Sequence, residues 1–248
     1  GTSSSSAINV SWIHFLSKMA DEPEVWNLQK IAELAYKAEV IEFNEPGGMM
    51  DQYSTAMGHL IYLQSKPKIY IRQLNLDLGT FVLGNSCEQK DTMGILLRCR
   101  NLQLDIVRKI KKINPKFDLN NYNDNVDFST LGDEERKLFN GAIQNRDILK
   151  NALSELEKNK LNHLLIGQLL YDHHQVLRDV LKVSTPKIES MLNAAMNAGA
   201  LGGKINGSGG GGCMFAYAPE NPNEVAEAIE KVGGEAFIIT SDKGTISF

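Results

Sequence analysis

Three groups of residues have types and spacings suited to chemistry. The first is Gly1-Thr2-Ser3-Ser4-Ser5-Ser6-Ala7, which runs straight into an apolar pattern of helical period. A Gly/Ser loop ahead of a helix N-terminus presents free backbone N–H groups and the positive end of the helix dipole, and so binds anions. Serine hydroxyls there can also ligate a magnesium ion beside a phosphate. A flexible tail or a remnant of cloning reads these residues equally well. The second group is Lys204-Ile205-Asn206-Gly207-Ser208-Gly209-Gly210-Gly211-Gly212-Cys213. Its run of glycine and serine lets a backbone wrap a phosphate closely, at a cost in chain entropy that favours function over a structural loop. The formal G-x-G-x-x-G match at Gly207, Gly209 and Gly212 lies in the wrong context for a dinucleotide site. That fingerprint needs a strand before it and a helix after it, and here the order is reversed. The third group is the carboxylate pair Glu39 and Asp51, on either side of a Pro46-Gly47-Gly48 break. Such a break can turn the chain so that both acids face one pocket, one holding a metal while the other accepts a substrate proton. With 30 acidic residues in the chain, the spacing alone is weak.

Other chemistries are poorly served. The adjacent His173 and His174 point to different faces of a helix, with no carboxylate at ligand spacing, and read as helix-surface histidines. No elbow motif suggests a Ser-His-Asp or Cys-His nucleophile. The three cysteines, Cys87, Cys99 and Cys213, form no C-x-x-C or Cys/His metal spacing, so neither a disulfide framework nor a zinc site is indicated. A reducing, cytoplasmic setting is expected. With 26 Lys+Arg against 30 Asp+Glu the net charge is −4, which argues against a nucleic-acid partner. The one basic cluster, Arg108-Lys109-Ile110-Lys111-Lys112, ends an apparent helix, where cations suit the dipole. The aromatic residues are scattered rather than placed for base stacking. No segment approaches the ~18 apolar residues of a membrane span, because Gly167 and Gln168 interrupt the most apolar stretch. Oligomeric state is not legible.

The elements that must position these residues follow from periodicity. At 248 residues the chain holds one large domain or two small ones, by the prior of roughly 150 residues each. Ile8, Trp12, Phe15, Leu16 and Met19 predict a helix over 6–19, and Ile31, Leu34, Ala38 and Ile41 a second over 26–43. Strands are expected at 60–63, 68–71 and 80–83. Helices follow over 93–112, 133–158, 160–181 and 186–198, the last started by Ser184-Thr185-Pro186 with the proline in its first turn. A strand at 213–218, a helix at 222–232 and strands near 236–240 and 245–248 close the chain. A composition shift near 75–79 suggests domains at 1–76 and 77–248.

Taken in order, these features resemble the GHMP kinase superfamily, which includes galactokinase, homoserine kinase, mevalonate kinase and phosphomevalonate kinase. Members carry a P-x-x-x-G-L-G/S-S-S-A phosphate loop, a metal-binding Glu on a following helix, an Asp after a Pro-x-Gly break, and a late Gly-rich loop. This chain offers Gly1–Ala7, Glu39, Pro46-Gly47-Gly48-Met49-Met50-Asp51-Gln52 and Lys204–Cys213. The step from Glu39 to Asp51 resembles galactokinases, and the late loop resembles mevalonate kinases. The resemblance implies a two-domain α+β fold: a partial ribosomal-protein-S5-domain-2-like N-terminal domain and a ferredoxin-like C-terminal domain with added helices. It implies an ATP-dependent kinase with Mg²⁺ as cofactor and a small-molecule alcohol, a sugar or sugar phosphate, as substrate. Mevalonate is the alternative, and a ligand-sensing homologue without turnover is a further one. Ser5 or Ser6 and Glu39 would bind Mg²⁺, while Gly1, Thr2, Ser3 and Ser4 would line the nucleotide phosphates. Asp51 would orient or deprotonate the acceptor hydroxyl. Gly207, Ser208, Gly209, Gly210 and Gly211 would approach the phosphates or the substrate. Members also have a strand set and a substrate motif ahead of the phosphate loop, so the chain looks like the rear portion of a longer protein.

Overall fold

A computed structural model describes residues 2–21, 26–89, 92–121 and 127–246. The chain divides into two compact units, Gly1–Gly79 with Ile239–Phe248, and Thr80–Ile238.

The first unit holds helices α1 (Ser4–Met19), α2 (Leu28–Tyr36) and α3 (Met50–Met57) and a hairpin of β1 (Leu60–Gln64) with β2 (Tyr70–Leu74). The hairpin is antiparallel, with Leu60 opposite Leu74. Val10 of α1, Ile31, Ala32 and Ala35 of α2, and Tyr53 and Ala56 of α3 form its core. Asn27 starts α2 by accepting the Lys30 amide at 2.8 Å. The helix expected over 26–43 is not continuous. It passes at Lys37–Ile41 into a π-helical turn, in which the Glu42 amide reaches back five residues to the Lys37 carbonyl at 3.0 Å. Helix α3 was not expected; it begins directly after the Pro-Gly-Gly break and carries Asp51 in its first turn.

The tail of the chain packs within this unit. The Thr245 amide donates to the Thr55 carbonyl at 3.2 Å, and His14 Nδ1 meets Thr245 Oγ1 at 2.9 Å. The strand expected over 245–248 is not formed: Thr245 and Ile246 lie in irregular chain, and 247–248 fall outside the described residues. The Thr245 amide is taken up by the carbonyls of Thr55 and Ala56 near the end of α3 instead of a strand partner.

The second unit is ferredoxin-like. Its strands β3 (Phe81–Asn85), β4 (Gly202–Ile205), β5 (Cys213–Tyr217) and β6 (Glu235–Ile239) form one sheet in the order β4-β5-β3-β6. Strand β5 runs antiparallel to both β3 and β4. With α7 (Pro186–Asn197) after β3 and α8 (Pro222–Lys231) after β5, the chain follows the β-α-β-β-α-β plan. Ile188, Met191 and Leu192 of α7 and Val225 and Ile229 of α8 bury one sheet face with Val82 and Met214. Strand β4 was not expected, because Gly202-Gly203 reads as loop; Gly202 is needed where Gly167 of α6 crosses, and Gly203 where β5 and Leu192 close in. Three helices are added between β3 and α7: α4 (Thr92–Ile113), α5 (Asp133–Leu156) and α6 (His163–Asp179). Helices α4 and α5 share a smaller core around Ile106, Ile110 and Phe139. The basic run does close α4, with Lys111 and Lys112 in its last turn and Lys109 paired to Glu135 at 2.7 Å. The fold is therefore α+β in two domains.

Candidate active site

The serine run forms the start of α1. Ser3 sits at the N-cap with φ 59° and ψ 35°, and no side chain caps the helix. The first intrahelical bond is Ala7 N–H to Ser3 C=O at 3.0 Å, so the amides of Ser4, Ser5 and Ser6 have no intrahelical acceptor. Thr2, Ser4 and Ser5 are exposed, Ser3 is half-buried, and Ser6 is 2% exposed. Gly1 lies outside the described residues. The result is an uncapped helix N-terminus edged with hydroxyls, open to an anion.

Glu39 closes against this helix start. Ser6 Oγ donates to Glu39 Oε2 at 2.8 Å, and Gln52 Nε2 donates to the same oxygen at 2.6 Å. Gln52 Nε2 also lies 3.2 Å from Ser6 Oγ. Partial burial works to raise the Glu39 pKa, yet donors from Ser5, Gln52, Ser6 and Asn9 together hold it below the ordinary glutamate value. The carboxylate is thus charged and ordered at neutral pH. Its place on the π-helical turn aims it at α1; such turns recur at functional sites.

Asp51 is exposed, one residue before Gln52. Successive helix positions differ by about 100° around the axis, so Gln52 turns inward to Glu39 while Asp51 faces solvent. Among the described residues its carboxylate makes no hydrogen bond, and its seat in the first turn of α3 suits a negative charge. The structure therefore joins Ser5, Ser6 and Glu39 directly. Asp51 is tied to them through its neighbour rather than by contact.

Gln52 and Asn9 were missed as site residues. Asn9 stands one helical turn after Ser5 on α1, a spacing that could have marked it. Gln52 is a buried polar residue beside Tyr53, and only knowledge of where Glu39 packs would single it out.

The donor set fits a magnesium ion. Ser6 donates to Glu39 and presents its hydroxyl oxygen beside that carboxylate, and Gln52 Oε1 is buried with no hydrogen-bond partner. Mg²⁺ is characteristically held by one or two carboxylates, with waters and substrate phosphates supplying the rest. No cluster of three His, Cys, Asp or Glu residues able to hold a metal occurs among the described residues.

The glycine-rich loop belongs to the second unit. Gly207, Gly209, Gly210, Gly211 and Gly212 all take positive φ, between 68° and 109°. That region is nearly closed to residues with a side chain. Close packing adds a second reason: a Cβ on Gly209 would fall 2.5 Å from the Val183 carbonyl oxygen, and one on Gly210 would fall 2.1 Å from Ile95 Cδ1. Gly210 N–H donates to Val183 C=O at 2.6 Å. Ser208 Oγ is buried without a partner. The reading of His173-His174 as surface residues needs correction. His174 is 0% exposed, because α6 turns that face onto β4, and His173 is half-buried.

Residues 146–237 match the family described as GHMP kinases, C terminal. A GHMP kinase C-terminal domain therefore accounts for that segment of the chain. Among curated GHMP relatives, the mevalonate kinase of Thermococcus onnurineus is 31% identical over 245 residues, covering 98% of this chain and 64% of the relative. The galactokinase of Clostridium perfringens is 26% identical over 249 residues, covering 94% and 61%. The chain thus spans less than two thirds of the length of these relatives. Among solved structures, Lactococcus lactis galactokinase complexed with galactose aligns at TM-score 0.71 and 19% identity, covering 96% of this chain and 65% of that one. L. major mevalonate kinase in complex with R-mevalonate aligns at 0.63 and 19%, covering 96% and 64%. At that identity, the likeness establishes the GHMP kinase fold.

Proposed function

We propose that the protein is an ATP-dependent small-molecule kinase that transfers the γ-phosphate to a hydroxyl of a sugar or sugar phosphate. The observation that carries this reading is the Ser6–Glu39–Gln52 contact at the uncapped start of α1. It places a charged carboxylate and serine hydroxyls beside free amides, the parts a metal–phosphate complex needs. Thr2, Ser3 and Ser4, with Gly1 ahead of them, bind the nucleotide phosphates through backbone N–H and hydroxyl groups. Ser5 or Ser6 and Glu39 hold Mg²⁺, which when bound neutralises charge on the transferring phosphoryl group. Asp51, solvent-facing, accepts the proton of the acceptor hydroxyl or orients it. Gly207, Ser208, Gly209, Gly210 and Gly211 approach the phosphates or the substrate through a backbone that carries a Cβ only at Ser208. A phosphate oxygen would satisfy the orphaned Ser208 hydroxyl.

The sugar reading rests on Met50-Asp51-Gln52, where Gln52 is the residue that fixes Glu39. Mevalonate is the second reading, favoured by the higher identity to the Thermococcus enzyme than to the Clostridium one. A sensor without turnover has no need of a charged metal ligand and a free base together. Cytoplasmic localisation belongs to the same proposal; no helix among the described residues is long and apolar enough to cross a membrane. Calorimetric titration with Mg·ATP is the first test, followed by turnover of galactose, a heptose phosphate and mevalonate. Absence of Mg·ATP binding defeats the kinase reading, and turnover of mevalonate alone defeats the sugar reading.

A further inference from the structure

Strand β4 is an edge strand, lying outermost in the sheet. Its residues pair with β5 by alternation, so the Ile205 amide points away from β5 towards α6. An edge amide buried under a helix needs an acceptor. His174 supplies it: Ile205 N–H donates to His174 Nδ1 at 3.3 Å. With Nδ1 accepting, the ring proton sits on Nε2, which donates to Glu189 Oε1 at 2.8 Å.

Glu189 then ties this ring to the far side of the glycine-rich loop. It lies in the first turn of α7 and also accepts from Ser184 Oγ, while Arg178 Nη1 stands 3.3 Å from its second oxygen. Ser184 follows Val183, whose carbonyl holds the Gly210 amide at 2.6 Å. The loop is therefore gripped at its entry, two residues before Gly207, and at its tip, and one carboxylate links the two grips.

We propose that His174 and Glu189 are positioning residues that set the conformation of the 206–212 loop, and through it the affinity for the nucleotide. The proposal rests on the reading of that loop as a nucleotide-binding element. Burial holds the His174 imidazole below its ordinary pKa against the pull of Glu189, with Arg178 and Lys204 adding to the lowering. Nδ1 thus stays free to accept at neutral pH. Nothing in the phosphate-transfer chemistry itself calls on either residue.

His174→Gln removes the Nδ1 acceptor, whereas His174→Asn places a carbonyl oxygen where Nδ1 stood and should rescue it. In His174→Gln the Ile205 amide should exchange faster with solvent, and the Gly207–Gly212 amide resonances should shift. KM for ATP should rise roughly tenfold with kcat at saturating ATP largely kept, within the up-to-hundredfold cost of a small displacement in a binding element. His174→Asn, which keeps an acceptor for Ile205 but no donor to Glu189, should restore the protection of the Ile205 amide. Ser184→Ala, which leaves the histidine in place, should shift the Gly210 amide and weaken Mg·ATP binding more mildly; it serves if His174→Gln does not fold. Unshifted loop amides and unchanged Ile205 protection overturn the clamp. Shifted loop amides with unchanged Mg·ATP affinity overturn the nucleotide reading of the loop instead.

Discussion

The amide of Gln52 lies 2.6 Å from the carboxylate of Glu39, so the residue after Asp51 is fixed to the proposed metal ligand. Asp51 gains its orientation from that contact without touching Glu39. A helical step of one residue separates a buried anchor from an exposed acid.

Asp51→Asn should remove phosphoryl transfer by about 10²–10⁴-fold, the range for a general base, while leaving Mg·ATP binding nearly intact. Steady-state turnover and calorimetry on the same preparation check this. Wild-type-like turnover removes Asp51 from the role.

Glu39→Gln should raise the Mg²⁺ concentration needed for nucleotide binding and change metal-free binding little. It also carries a pH signature. Because the Glu39 carboxyl lies below its ordinary value of 4.5, its contribution to stability is present above pH 4.5 and lost as pH falls through its folded value. Thermal unfolding of wild type and variant should therefore differ at neutral pH and converge in acid. A constant difference across that range would count against the charged, hydrogen-bonded carboxylate.

Gly202→Ala should destabilise the second unit. A Cβ there would fall 1.8 Å from the carbonyl oxygen of Gly167, so α6 would have to move off β4. The cost should reach or exceed the ~1–3 kcal/mol of ordinary overpacking, because the obstacle is backbone. Chemical denaturation measures it, and near-wild-type stability would mean that the crossing of α6 over β4 is looser than described.

His173 should resist protonation. Burial, with Lys204 and His174 beside it, lowers its pKa to about 4. Folding then favours the neutral ring, so stability is full above the ordinary value of 6.5 and declines as pH falls from there to about 4. Histidine titration by NMR should find this ring neutral near pH 6, a value between those limits. His173→Gln should flatten part of the acid slope of stability, His174 supplying the remainder.

Much of the fold was legible because its helices are amphipathic and its caps are local. Thr185 and Pro186 start α7 as their types require, and the runs at 60–63 and 80–83 become β1 and β3. What escaped notice depends on distant partners. Gly202-Gly203 becomes strand because it pairs with β5, with Gly167 packed on Gly202; His174 is buried because α6 turns it onto β4, where Ile205 needs an acceptor; and Gln52 matters because Glu39 packs beside it. The π-helical turn at Lys37–Ile41 carries no signature in residue type, since the same sequence could continue as α-helix. Ser6 and Glu39 were singled out by kind and order, but 33 residues separate them, and only the packing of α1 against the turn brings them to 2.8 Å.

The return of the last residues to the first unit bears on how the protein is made. Domains generally fold as units from the N-terminal end during synthesis. Here Thr245 supplies a partner to His14 and Thr55, so that unit lacks part of its fabric until the ribosome has passed residue 245. The ferredoxin-like unit, contiguous from Thr80 to Ile238, is complete in the nascent chain before its predecessor. A stalled chain ending near 238 would present the whole second unit joined to a first unit without the contacts of Thr245.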